Sequence, residues 1–297
     1  MLPAATVCFA QSSAKLISLR EGGGKLGLHV SIDRNGRAAV SHFGMIFRLI
    51  TLLMATAATG ASAHPVRVSS FGRSAAGEVA HLYTLTNAHG LVVRISDWGG
   101  LLTAVEAPNS EGHNANIALG FATVSEYEAH SGVSHFGGPV GRYVNRIAGA
   151  HFNVDGREVR LVANDGPDAL HSGAGIGYDQ RLWTASTFDK GASSGVVLNL
   201  VSPAGDQGFP GTLHVTLTYA LNDDNELSLT YRAITDAATA LNLTSHSYFN
   251  LSGAGRGDVL DETLEVAADR MAELGERKLP TGRLVPCLLY TSPSPRD

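Results

Sequence analysis

A histidine stands in the middle of a stretch that otherwise reads as a buried β-strand, residues 241–255, "LNLTSHSYFNLSGAG". If the two leading leucines face a core, the alternation of a strand places His246 on the opposite face. An imidazole in a cleft transfers protons near neutral pH, and Ser247 and Tyr248 add hydroxyl groups beside it. The stretch is consistent with a catalytic acid, but taken alone it favours a core histidine satisfied by a local hydrogen bond.

Two other stretches carry more polar groups than a plain β-protein needs. In "LHSGAGIGYDQRLW", His171 precedes a glycine-rich and therefore open loop. In "GGPVGRYVNRIAG", Arg142, Asn145 and Arg146 lie among glycines, which let a ligand come close to the backbone. Each stretch by itself also fits a solvated loop, so neither decides a function alone.

The elements that would position these residues are short strands. "GTLHVTLTYALNDDNELSLTYRAIT" alternates with period two, so that Leu213, Val215, Leu217 and Tyr219 share one face and "NDDN" makes a turn. "HFNVDGREVRLVAN" predicts a hairpin with Asp-Gly as its tight turn. Many strands and almost no helical period predict an all-β fold, a large antiparallel β-sandwich.

Composition excludes several classes of function. The formal charge of the 297 residues is −5, so we expect neither a nucleic acid nor an anionic membrane surface as partner. The two cysteines lie close to opposite ends and imply no disulfide framework. The 12 histidines include no H-x-H or H-E-x-x-H pair, so we expect no metal site.

Taken together, four stretches resemble one family. "GRYVNRIAGAHFNVDGREVRL", "LHSGAGIGYDQRLW", "SPAGDQGFPGTLHVTLTYAL" and "LNLTSHSYFNLSG" stand in the order and approximate spacing of the aldose 1-epimerases, the galactose mutarotases. The resemblance runs from about Val79 to Pro286. It implies a galactose mutarotase-like β-sandwich with a sugar in an open cleft, no cofactor, and interconversion of the α and β anomers of a free hexose such as galactose or glucose.

The resemblance also implies roles for particular residues. It assigns catalysis to two histidines and sugar binding to four polar residues, namely His246 as general acid with His171, and Asn145, Arg146, Ser247 and Tyr248. Ser172 and Ser245 replace a glycine and an asparagine of the family motifs, which we expect to tune the site rather than abolish it. The family's base is a glutamate that belongs beyond Pro286. We therefore expect a polypeptide that ends at Asp297 to be C-terminally truncated and poorly active.

The ends of the chain differ from its body. Residues 45–63 combine a basic start, a short apolar run and the Ala-Ser-Ala of a cleavage site, which predicts a signal peptide and a periplasmic or secreted protein. Residues 1–44 are then a non-native extension, 64–286 the incomplete mutarotase-like β-sandwich, and 287–297 an artefactual tail. After signal cleavage we expect a monomer that binds a small aldose and does not contact a membrane.

Three alternatives stay open at this point. The first alternative is a non-catalytic carbohydrate-binding β-sandwich that kept the cleft and lacks the base. A related epimerase would act on a phosphorylated sugar, but it needs more basic residues at the cleft than the sequence clearly supplies. The apolar run in residues 45–63 also fits a buried amphipathic helix.

Overall fold

The structure is a computed structural model. It describes the backbone of two N-terminal strands and most of the chain from His64 onward, which is residues 15–22, 25–32, 64–108, 112–130, 133–260, 262 and 268–287. The predicted signal peptide, residues 45–63, lies outside the described residues, and so do residues 288–297 of the predicted tail.

Strands dominate the described residues. They are β1 (Lys15–Gly22), β2 (Lys25–Ile32), β3 (Arg67–Arg73), β4 (Val79–Thr86), β5 (Val92–Ser96), β6 (Leu102–Pro108), β7 (Asn114–Asn116), β8 (Pro139–Val140), β9 (Arg146–Ile147), β10 (His151–Val154), β11 (Arg157–Arg160), β12 (Ala169–Leu170), β13 (Thr184–Asp189), β14 (Ser193–Ser202), β15 (Leu213–Asn222), β16 (Glu226–Thr235), β17 (Thr244–Ser245), β18 (Arg270–Leu274) and β19 (Pro280–Pro286). One short α-helix, α1 (Val124–Ala129), begins with a capping box between Thr123 and Glu126. Four single 3₁₀ turns complete the elements, at Ala148–Ala150, Tyr178–Gln180, Asp206–Gly208 and Glu276–Lys278.

Two antiparallel sheets supply the core. One has the strand order β3-β4-β5-β6-β7 and the other β13-β14-β15-β16-β1-β2. Their facing side chains form one apolar cluster, which includes Leu85, Val93, Ile95, Leu198, Leu217 and Leu229. The Tyr219 hydroxyl donates to the Gly100 carbonyl at 2.8 Å and so also ties the sheets together. The all-β, antiparallel sandwich predicted from the sequence is confirmed.

The strand faces follow the predicted alternation. In β15 every second residue from Leu213 to Leu221 is buried, because a strand turns successive side chains to opposite faces of its sheet. The predicted hairpin is also present: β10 pairs with β11, and Asp155 and Gly156 take the positive φ values of 50° and 72° that its two-residue turn requires.

Residues 15–22 and 25–32, within the segment predicted to be a non-native extension, form the paired strands β1 and β2. The backbone of β1 pairs with β16, so this pair of strands extends the six-stranded sheet at that edge. The origin of residues 1–44 stays a prediction. Among the residues that the structure describes, no helix is long and apolar enough to span a membrane.

A fully buried guanidinium anchors the segment between β8 and β9. Arg142 is 0% exposed and donates to the Ser202 hydroxyl and to the carbonyls of Ser202, Pro203 and Pro210, at 2.7–3.0 Å. Its guanidinium carbon lies 5.8 Å from the centroid of the Phe209 ring, in cation–π contact. The sequence analysis grouped Arg142 with residues at a ligand approach, whereas its side chain lies in the interior and holds the loop after β14.

That loop is held from its other side by an ion pair. Arg181 donates to both carboxylate oxygens of Asp206 at 2.7 and 2.8 Å, and Asp206 also accepts from the Ser202 hydroxyl. Burial alone would raise the pKa of Asp206, but the hydrogen bonds from Arg181 and Ser202 outweigh it and lower the pKa. Asp206 therefore stays ionised. Its negative charge counterbalances the positive charge of Arg142, to which it is linked through the Ser202 hydroxyl.

We expect Arg142→Met to destabilise the protein by about 3 kcal/mol or more, because several buried acceptors lose their donor at once. The measurement is the free energy of unfolding in urea. Arg142→Lys should recover only part of the lost stability, since a single ammonium group cannot reach all the acceptors that surround the planar guanidinium. The matched control is Arg160→Met, which changes an arginine side chain that is 73% exposed. Equal unfolding midpoints for the Arg142 and Arg160 variants would contradict the anchoring role.

Candidate functional site

The site is built around the segment 135–147, which lies between two of the polar stretches found in the sequence. On one side β8 pairs with β17, with Pro139 opposite Ser245. The His246 amide donates to the Gly138 carbonyl at 2.8 Å. Gly138 also lets the turn that carries Asp179 pack against this segment, because a Cβ at Gly138 would lie 2.5 Å from the Asp179 side chain. The stretch that carries His246 is thus laid directly beside the glycine-rich stretch.

On the other side β9 pairs with β12, with Arg146 opposite Leu170. The pairing continues as a reciprocal contact in which the His171 amide donates to the Asn145 carbonyl and the Asn145 amide donates to Nδ1 of His171, both at 3.1 Å. Asn145 and His171 have positive φ values of 68° and 52°, conformations that an asparagine or histidine adopts more readily than most residues.

These two ladders bring three imidazole rings together. The ring centroids of His135, His171 and His246 are 5.3 Å (His135–His171), 5.5 Å (His135–His246) and 5.3 Å (His171–His246) apart. All three side chains are half-buried. The structure therefore joins the two histidines predicted to be catalytic, and it adds a third.

His171 is a neutral hydrogen-bond donor in this arrangement. Burial lowers its pKa to about 4, and repulsion by His135 and His246 acts in the same direction. Because its Nδ1 accepts from the Asn145 amide, the neutral ring carries its proton on Nε2. An Nε2–H group of this kind suits a sugar oxygen as acceptor.

His135 was missed by the sequence analysis. Its Nδ1 lies 2.6 Å from Oδ2 of Asp179, a carboxylate that is 7% exposed. This hydrogen bond raises the pKa of His135 although burial opposes the rise. The signal that could have found it is its place two residues before the glycine pair Gly137-Gly138, at the start of the glycine-rich stretch.

Arg146 and Asn145 occupy the rim of the same site. Nε of Arg146 donates to Oδ2 of Asp165 at 2.6 Å, which fixes a side chain that is 17% exposed. The side chain of Asn145 turns back on its own backbone, with Oδ1 accepting from the Arg146 amide at 2.8 Å. Asp165, the positioning partner of Arg146, was not singled out from the sequence.

Tyr248 and Ser247 follow His246 with different surroundings. The Tyr248 ring is 44% exposed, and its centroid lies 5.1 Å from His246 and 5.4 Å from Phe136. It is an aromatic face at the edge of the cleft. The Ser247 hydroxyl lies 2.8 Å from that of Ser245, which is buried, so these two serines form a hydrogen-bonded pair.

Ser172 has a structural role that its sequence position did not reveal. It is completely buried, has a φ of 80°, and accepts a 2.8 Å hydrogen bond from the Tyr143 amide through its hydroxyl. The bond joins the His171 turn to the segment between β8 and β9. Serine at this position therefore braces the site, at the cost of a strained backbone conformation.

Metal binding does not follow from the three histidines. Within the described ranges, no group of three or more His, Cys, Asp or Glu side chains is placed to hold a metal ion. The hydrogen bonds explain part of this: Nδ1 of His135 is taken by Asp179, and neutral His171 carries a proton on Nε2.

Comparison with known proteins identifies the family of the chain. The family model "Aldose 1-epimerase" matches residues 81–291, more than half of the chain. "Galactose mutarotase" of Sus scrofa is 41% identical over 197 residues, which are 66% of this chain and 55% of that protein. "Aldose 1-epimerase" of Escherichia coli (strain K12) is 38% identical over 204 residues, which are 69% of this chain and 57% of that protein.

Solved structures give the same result for the fold. The crystal structure of galactose 1-epimerase from Lactobacillus acidophilus NCFM matches with a TM-score of 0.66 and 26% identity, over 75% of this chain and 63% of that one. The chain spans just over half the length of the relatives it matches in sequence. The family match, the sandwich and the paired motifs around His171 and His246 agree, and the chain belongs to the aldose 1-epimerase family.

Proposed function

We propose that the protein is an aldose 1-epimerase that interconverts the anomers of a free hexose such as galactose. The observation that carries the proposal is the convergence of His171, His246 and the Asn145-Arg146 pair in one cluster, within the residues that the family model matches. The relatives named above as galactose mutarotase and galactose 1-epimerase support galactose as the sugar to test first.

The reaction needs proton transfer and hydrogen bonds. The anomeric hydroxyl loses its proton to a base, its electron pair forms the C1 carbonyl, and the bond from C1 to the ring oxygen breaks. The ring oxygen takes a proton from an acid, the C1–C2 bond rotates, and the ring closes on the other face of the carbonyl. We assign the acid to His246 and a hydrogen-bond donor to Nε2 of His171, with Arg146 binding sugar hydroxyls.

The carboxylates near the site bear on which residue is assigned as the base. Two carboxylates contact site residues directly: Asp165 is held by Arg146 and Asp179 by His135. Neither is therefore assigned as the base.

A carbohydrate-binding protein without turnover is the second candidate, and it differs from the enzyme in one measurable property, catalysis.

His246→Asn should retain galactose binding and lose catalysed mutarotation. A positioned acid contributes about 10²–10⁴-fold in rate, so we expect the catalysed component to fall by at least about 10²-fold. Polarimetry of freshly dissolved α-galactose measures the rate, and ligand-observed NMR measures binding. Binding without any catalysed mutarotation by the unaltered chain would favour the carbohydrate-binding alternative, and an undiminished rate in His246→Asn would reject His246 as the acid.

Arg146→Met should weaken galactose binding by about tenfold or more, since a hydrogen bond from a charged donor contributes about 1.5–3 kcal/mol. Arg146→Lys should recover only part of the affinity, because lysine retains the positive charge but lacks the planar guanidinium with its several donors. The control is Arg157→Met in the exposed hairpin of β10 and β11, which leaves the cleft intact. Equal affinities of the Arg146 and Arg157 variants would exclude Arg146 from the binding site.

We also propose that the protein is exported and acts as a monomer. The support for export is the signal-like pattern of residues 45–63, and the support for a monomer is the small net charge of −5. N-terminal sequencing of the secreted protein should find His64 as the first residue, and sedimentation should give the mass of one chain. A mature N-terminus before Met45 would contradict the export proposal, and a dimer mass would contradict the monomer.

A further inference from the structure

The third histidine of the cluster is built into the site by several independent features. Asp179 lies in a 3₁₀ turn, reaches Nδ1 of His135 at 2.6 Å, and passes so close to Gly138 that no side chain fits there. His135 itself has a φ of 49°, a conformation that costs free energy for a residue other than glycine. The fold thus holds the His135 ring in one place beside His171 and His246.

The hydrogen bond from the Asn145 amide to His171 requires that Nδ1 of His171 carry no proton. Nδ1 of His171 accepts from the Asn145 amide, which only the neutral ring can do in this tautomer. Protonation of Nδ1 would turn two N–H groups toward each other and break the turn that positions Asn145 and Arg146. A positive charge near His171 opposes that protonation by Coulomb repulsion.

We propose that His135 is a positioning residue of this site: held by Asp179, its imidazolium keeps His171 in the neutral form that accepts the Asn145 amide. The inference deepens the proposed function and rests on it for its catalytic meaning. His135 acts through His171 and has no proton-transfer step of its own. Its charge keeps the sugar-binding turn intact as the pH falls below neutrality.

The other charged groups around the pair act in known directions. His246 also repels a proton on His171, Asp179 attracts one more weakly than His246 repels it, and the repulsion by Arg146 is weaker still. His135 also borders a small cavity of about 10 Å³, where Asp179, His130 and Tyr127 are the other titratable lining groups. Tyr127 is neutral, because burial raises its pKa to about 12. Among these groups, only Asp179 is bonded to the His135 ring at Nδ1.

The test is an NMR titration of the histidine rings in the full-length chain, with His171 assigned from the spectrum of His171→Asn. His135→Gln removes the charge and keeps a donor for Asp179, so we expect the pKa of His171 to rise by the order of one unit. His135→Lys keeps a cation and should leave that pKa closer to its original value. His130→Gln, which removes another histidine from the same small cavity, is the matched control and should leave it unchanged.

The outcomes separate charge from packing. A rise in His135→Gln that His135→Lys reverses supports the proposal, and an equal rise in both variants, or none in either, overturns it. The titration needs no turnover: absence of catalysed mutarotation would reject the proposed function, whereas an unmoved His171 would reject the role of His135.

Where mutarotation is measurable, its pH profile gives a further check. In His135→Gln, His171 gains its proton at higher pH, so the acid limb of kcat/KM should move to higher pH by about the shift seen in the titration. An acid limb that stays in place while the pKa of His171 rises would overturn the claim that neutral His171 is needed.

Discussion

The buried guanidinium of Arg142 is the interaction on which the site depends. Its four short hydrogen bonds attach the segment between β8 and β9 to the loop after β14. The main chain of the same segment carries both ladders of the site, because its carbonyl at Arg142 accepts from the Asn242 amide and its Tyr143 amide donates to Ser172. One interior side chain therefore holds the segment on which both ladders of the site depend.

Close backbone approach is the second constraint. A Cβ at Gly141 would lie 2.5 Å from Leu243 and 2.6 Å from Tyr178, so only glycine lets the three stretches pack at this point. The two sheets of the sandwich supply a rigid support, and the polar residues stand on the short strands and turns that connect across its edge. The candidate functional residues thus lie on irregular segments that are held in position by a packed core.

Electrostatics then separates the three histidines into different roles. The hydrogen bond with Asp179 raises the pKa of His135, whereas burial together with repulsion by the neighbouring histidines lowers the pKa of His171 to about 4. Neighbouring titratable groups whose environments push their pKa values apart are a common basis for assigning proton-transfer roles. This division also explains how His171 can serve as a hydrogen-bond acceptor at Nδ1 and as a donor at Nε2 at the same time.

The sequence by itself determined the strands, their buried faces and the Asp-Gly turn, because these follow from alternation and from local backbone preference. It also identified His171, His246, Asn145 and Arg146 through motifs that resemble a family. Only the tertiary structure decided that Arg142 is interior, that Ser172 braces a turn, and that His135 joins the cluster. Burial and hydrogen-bond partners of these side chains come from segments tens of residues away, and no local pattern records which segments meet.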